Sequence, residues 1–213
     1  MLFKTSKPKI FCIGFNKTGT TTLEQELKSF GYRLGNQIQG ELLIDSWYGE
    51  DFKPILKFCK TADAFQDIPF SLPYTYQHLD AYFKDAKFIL TERDTAEQWY
   101  HSLVTFHSKL FADGQSVPTA EDLKRATYRH KGYTYKAFKY IYNTPDDDLY
   151  NKDALIKFYT TYNSTIKDYF MGRPEKLLCI NVSKPSDYVT LCEFLNQPIS
   201  KRHFAWKNKT SEI

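Results

Sequence analysis

Long apolar runs are missing from this sequence. No stretch approaches the ~18 consecutive apolar residues of a membrane span, so a membrane-embedded chain is not expected. Cysteine is scarce: Cys12, Cys59, Cys179 and Cys192 stand singly, and none forms a C-x-x-C pair, which argues against zinc and thioredoxin-type sites. Cys12, Cys179 and Cys192 sit in apolar runs and are expected to be small buried hydrophobes. Neither sign of charge dominates. Lys plus Arg number 29 and Asp plus Glu 25, a formal net charge of +4 that does not suggest a nucleic-acid partner but suits an anionic small molecule held by a few local cations. The five histidines, His78, His101, His107, His130 and His203, share no ligand spacing, so no metal site is expected. Met1 to Lys9 is short and polar and runs straight into a strand-like segment, unlike a signal peptide. The expected setting is reducing and cytoplasmic.

Aromatics, by contrast, are abundant, with 17 Phe, 16 Tyr and 3 Trp, and 42% of residues are hydrophobic, which argues against disorder. A length of 213 residues suggests one domain over 1–213 with a substantial core. Lys9 to Gly14 reads as a buried strand, Phe15 to Thr20 as a loop, and Thr21 onward as a helix with Leu23, Leu27 and Phe30 on one face, stopped by Gly31. Further strands are predicted at 62–68, 86–91 and 176–182. Helices are predicted at 55–60, 74–83, from a Thr95 cap through Trp99, Leu103 and Phe106, over 121–142, at 154–170 and at 186–195. Alternating strands and helices imply an α/β fold, a parallel sheet flanked by helices, with a helical insertion at about 107–170.

The sharpest motif is Gly14-Phe15-Asn16-Lys17-Thr18-Gly19-Thr20-Thr21-Thr22. A glycine-containing loop between a buried strand and a helix points successive N–H groups at one spot, and the helix N-terminus adds positive potential. Lys17 supplies a full charge, so the loop suits a phosphate or sulfate. Gly14 and Gly19 meet the G-x-x-x-x-G spacing of a Walker A loop, but Thr20 stands where its Lys belongs. A second candidate is Arg93, just past the carboxyl end of the 86–91 strand, where an arginine fork suits a phosphate.

Together these motifs resemble sulfotransferases. The Lys17-Thr18-Gly19-Thr20-Thr21 run is similar to the 5′-phosphosulfate loop of that family, and Arg93 to its strand-terminal arginine. The resemblance implies a P-loop-like three-layer sandwich and the donor 3′-phosphoadenosine 5′-phosphosulfate, with 3′,5′-adenosine bisphosphate as product and no metal. It implies donor binding by Asn16, Lys17, Thr18, Gly19, Thr20, Thr21 and Arg93, and by Ser102, one position later than the family's serine, where His101 falls. Lys17 would stabilise charge growing on the leaving phosphate. Asp67, in Asp67-Ile68-Pro69, stands where related enzymes carry a histidine or a carboxylate, and is the candidate base. The acceptor would be a hydroxyl or amine of a small molecule or glycan. The tail from Lys201 to Thr210 resembles the F-P-x-x-N ending of one branch with Ala205 in place of Pro, and its Phe204 and Trp206 are expected to dock on the core. Tyr128 to Tyr142 mixes tyrosines with Arg and Lys, either an amphipathic helix packing its rings inward or an acceptor-binding lid. An ATP-dependent small-molecule kinase using the same loop, and a non-catalytic nucleotide binder, stay open as alternatives.

Overall fold

The computed structural model describes residues 7–204. The apolar runs Ile10–Cys12, Lys87–Thr91 and Leu177–Ile180 form strands β1, β3 and β4, and Ala64–Phe65 forms the short β2. The strands pair in the order β2-β1-β3-β4, all parallel, with Ile10 opposite both Ala64 and Lys87. Side chains alternate across a strand, and this divides the core. Phe11, Ile13, Phe65, Phe88 and Leu90 face one way, and Ile10, Cys12, Ala64, Ile89 and Ile180 the other. Helices α1 (Thr20–Ser29) and α10 (Pro185–Phe194) cover the second face with Leu23, Leu27, Tyr188 and Leu191. The first is covered by α5 (Thr75–Tyr82), α6 (Ala96–Phe111) and α9 (Lys152–Tyr169) through Leu79, Trp99, Tyr162 and Ile166. The result is the expected helix–sheet–helix sandwich. Its centre on the first face is aromatic: the Phe11 ring lies 5.6 Å from Phe88, 5.7 Å from Phe65 and 6.0 Å from Phe70.

Several elements depart from the expected ones. The predicted 62–68 strand shrinks to β2, because Asp67 turns left-handed at φ 57 and ends the extended run. The stretch after α1 carries three short helices, α2 (Gln37–Glu41), α3 (Ile44–Tyr48) and α4 (Lys53–Phe58), of which only the last was expected. The predicted 121–142 helix is two, α7 (Ala120–Arg125) and α8 (Tyr133–Tyr142). A Thr127–Lys131 bridge and Gly132 at φ 77 break it. Cys179 is exposed rather than buried. β4 is an edge strand, and the alternation that turns Leu178 and Ile180 into the α10 side sends Cys179 to the opposite rim. No described helix is long and apolar enough to cross a membrane.

Candidate functional site

Three crossings of the sheet end side by side, and each carries one part of the site. β1 runs into the phosphate loop through Gly14, where a Cβ would sit 2.1 Å from Thr91 Oγ1 and 2.5 Å from Thr91 O. Only glycine lets β1 leave the sheet so close to β3. Lys17 takes a left-handed φ of 65, and Gly19, at φ 102, presses where a Cβ would meet Val182 at 2.3 Å. α1 then begins with no side-chain cap and no acid in its first turn. The positive end of the helix is thus left facing the loop with no carboxylate or capping side chain on it, the arrangement that suits an anion.

β3 delivers Arg93, whose Nε donates to the carbonyl of Lys17 at 2.6 Å while its own N–H donates to Tyr159 at 3.1 Å. The guanidinium thus braces the loop from the neighbouring strand. Lys17 Nζ lies 3.6 Å above the Phe106 ring of α6. Burial, helped by Arg93 and Lys109, lowers its pKa to about 8. The Trp99 indole donates to Asn16 O at 3.1 Å, and Asn16 Oδ1 is buried with no hydrogen-bond partner.

β2 delivers Asp67. Gln37 Nε2 donates to its Oδ2 and to Glu41 Oε1, each at 2.9 Å. Glu41 in turn is gripped by Arg129, with Nε to Oε2 at 2.6 Å and a second nitrogen to Oε1 at 3.1 Å, both side chains nearly buried. Asp67 Oδ1 is buried with no hydrogen-bond partner. The Asp67 pKa is pushed up to about 7, chiefly by burial and then by the Glu41 carboxylate, with the Thr20 hydroxyl opposing them. That is the range of a working general base.

These groups line one cavity of about 240 Å³, which Lys17, Gly19, Thr20, Thr21, Asp67 and Arg93 bound on the sheet side. Two expected residues stand apart from its lining. Thr18 turns its hydroxyl inward, donating to Phe15 O and meeting Thr91 Oγ1 at 2.6 Å, so what it can offer a ligand is its main chain. Ser102 is half-buried on α6, one turn before Phe106, and His101 beside it is exposed. Phe204 is buried against Tyr188 at 5.5 Å, edge to face, as expected. The remainder of the tail motif, including Ala205 and Trp206, lies outside the described residues. Among the described residues no three His, Cys, Asp or Glu side chains converge as metal ligands.

Gln37, Glu41 and His107 also line the cavity and were not expected there, whereas Arg129 and Thr134, which support and line it, belong to the Tyr128–Tyr142 segment whose lid alternative allowed for it. Glu41 and Arg129 are 88 positions apart, so no local pattern links them. A faint signal lay at Asn36, whose side chain accepts from Gln39 N at 3.0 Å and starts α2. His107 is buried with Nδ1 2.8 Å from the Tyr150 hydroxyl, and burial drives its pKa down to about 3, so it is neutral.

No curated protein matches the chain. A family profile described as a sulfotransferase domain matches residues 9–213, a span that takes in the phosphate loop, Asp67 and Arg93 alike. The chain belongs to the sulfotransferase domain family.

Proposed function

We propose that the protein moves a sulfuryl group from 3′-phosphoadenosine 5′-phosphosulfate to a hydroxyl of a small molecule held in the cavity. The observation that carries this reading is the bond from Arg93 Nε to the Lys17 carbonyl, which joins two cations from separate strands at one cavity that also holds Asp67. The residues present fit the donor: a helix start with no side-chain cap and two cations suit a ligand with several anionic oxygens. Asn16, Lys17, Gly19, Thr20 and Thr21, with the main chain of Thr18, would hold its phosphosulfate end. Arg93, with Ser102 on α6, would serve its 3′-phosphate.

When bound, the donor supplies the sulfuryl group and departs as 3′,5′-adenosine bisphosphate. Asp67 accepts the acceptor's proton at Oδ1, since Oδ2 is held by Gln37. Lys17 and the loop amides stabilise the charge that develops on the leaving phosphate. The aromatic wall excludes water, which otherwise competes for the sulfuryl group.

Calorimetry with 3′,5′-adenosine bisphosphate, ADP and ATP, with and without magnesium, tests the donor. The bisphosphate should bind best and without metal. Lys17→Ala and Arg93→Ala should each weaken it about 10- to 100-fold, the worth of a charge-assisted contact. Preferential, magnesium-dependent binding of ATP would replace this reading with a kinase.

A further inference from the structure

Beyond Asp67 the cavity continues to a wall that the donor does not need. It is built by Phe106 and Phe111 of α6 and by α8, whose Thr134, Ala137, Phe138 and Ile141 fall at i, i+3, i+4 and i+7 and all line the space. Phe138 of this stripe also packs on Tyr150, ring centroids 4.7 Å apart, so the core behind it holds the wall in place. From its chemistry we infer that the acceptor is an uncharged aromatic alcohol of one or two rings, whose reacting hydroxyl meets Asp67 and whose second polar group hydrogen-bonds Thr134. This inference rests on the sulfuryl-transfer reading above and narrows it to a substrate class.

Size comes first. The cavity of about 240 Å³, which the phosphate loop shares, is of the order of the ~150 Å³ that accommodates benzene, and rings set among Phe106, Phe111 and Phe138 gain offset-stacking and edge contacts. Charge comes next. Asp67 on the near wall disfavours an anion, and Lys17 and Arg93 disfavour a cation. Arg129, the cation nearest the Glu41 side, is already neutralised by that carboxylate.

Hydrogen-bonding capacity separates an aromatic alcohol from a sugar. The Tyr133 hydroxyl is spent on Glu41 O at 3.0 Å, that of Tyr128 accepts from Arg129 at 3.2 Å, and His107 Nδ1 is engaged by Tyr150. A sugar would bring several hydroxyls to this wall, and each one left unpaired costs about 1–3 kcal/mol. The Thr134 hydroxyl, in contrast, is more than nine-tenths buried and has no hydrogen-bond partner. A buried, unmatched hydroxyl on the ligand-facing stripe is a recognition point for one polar atom. Thr134 is therefore a specificity-determining residue, distinct from the groups that perform transfer.

The test uses the full chain with 3′-phosphoadenosine 5′-phosphosulfate and reads release of the bisphosphate. Its acceptors are 2-naphthol, dihydroxynaphthalenes, 4-hydroxybenzoate, tyramine and N-acetylglucosamine. The naphthalene alcohols should exceed the anion, the amine and the sugar in kcat/KM by at least about tenfold, with the best dihydroxy isomer ahead of 2-naphthol. Thr134→Val should reduce that dihydroxy-over-monohydroxy ratio about tenfold, one net hydrogen bond to a buried partner, and Thr134→Ser should restore it. Better turnover of the sugar or of a charged acceptor, or a ratio that Thr134→Val leaves unmoved, overturns the inference. Bisphosphate binding by calorimetry with no turnover of the naphthalene alcohols also overturns it while leaving the donor reading intact. Absence of bisphosphate binding removes the donor reading itself.

Discussion

At the scale of single residues the site is a contest between burial and charge. Asp67 is a carboxyl whose pKa of about 7 lies above its ordinary value because burial and Glu41 both disfavour its anion. Lys17 is an amine whose pKa of about 8 lies below its own because burial, Arg93 and Lys109 disfavour its cation. The proposed transfer step needs both charged. The kcat/KM profile of the free enzyme should thus be a narrow bell, rising through about 7 as Asp67 ionises and falling through about 8 as Lys17 loses its proton. Asp67→Asn should remove the acid limb and lower kcat by about 10²-fold or more, with bisphosphate affinity kept. The stability consequence has the opposite sign. A carboxyl raised on folding contributes stability that is complete below its unfolded pKa and lost as pH rises through its folded one, here between about 4 and 7. At pH 8 the wild-type protein bears that cost, so Asp67→Asn should melt several degrees higher while turning over far more slowly. An Asn variant that melts lower, or that keeps full kcat, would show Asp67 to be neither strained nor a base. Lys17, Asp67 and Arg93 were legible as candidates because each follows a strand-like apolar run. Sequence reasoning could not find which way Thr18 points, since that depends on Thr91, 73 positions away.

At the scale of elements the proposed base is tuned by segments the sequence hid. α2 is five residues long, too short for a periodic pattern, and Arg129 sits in the break between α7 and α8 where continuous helix was expected. They add to the field at Asp67: Glu41, together with Glu24 of α1, holds its proton on, and Arg129 favours its release. Opposite shifts should follow from opposite changes. Glu41→Gln removes the nearer anion and should move the acid limb of kcat/KM to lower pH. Arg129→Met leaves Glu41 buried and unpaired and should move the limb to higher pH, at a stability cost of roughly 3–5 kcal/mol. The double variant should recover most of that stability, because the unpaired charge is gone. A role confined to packing would alter melting temperature and leave both limbs in place. The limbs are read from initial rates over about pH 5–10, a window of about two units either side of the two pKa values.

Across the whole molecule, the readable part was the frame and the unreadable part was what closes it. The strand–loop–helix start, the parallel sheet and the flanking helices follow from apolar runs and capping residues near in sequence, such as Thr95, whose side chain accepts from Gln98 N at 3.1 Å. The cavity wall follows from pairings across the chain: Arg129 on Glu41, Lys136 on Asp45 at 2.8 Å, and Tyr140 stacked on Tyr48 at 3.7 Å. These fasten the helical segment between β3 and β4 to the helices after α1. The small net charge of +4 hides a local concentration of cations: Lys17 and Arg93 line one cavity, and the charge of Lys109 also acts on Lys17. Such a cluster is self-repelling until an anion arrives. Removing part of it should therefore stabilise the free protein: Lys17→Met should hold or raise the melting temperature, whereas Arg93→Ala, which also loses the brace to Lys17 O, should lower it. Ligand should invert the order. At 100 times its Kd, 3′,5′-adenosine bisphosphate contributes about 2.7 kcal/mol to the wild type, a rise of roughly 5–10 °C for a chain of this size. Both variants should show little of that rise at the same concentration, and added salt should shrink it for the wild type, since screening weakens attraction to the exposed parts of the ligand. A thermal-shift series over the three proteins, with and without bisphosphate, measures all of this. Equal ligand-induced shifts in wild type and Lys17→Met would mean that the anion is held elsewhere than on this loop.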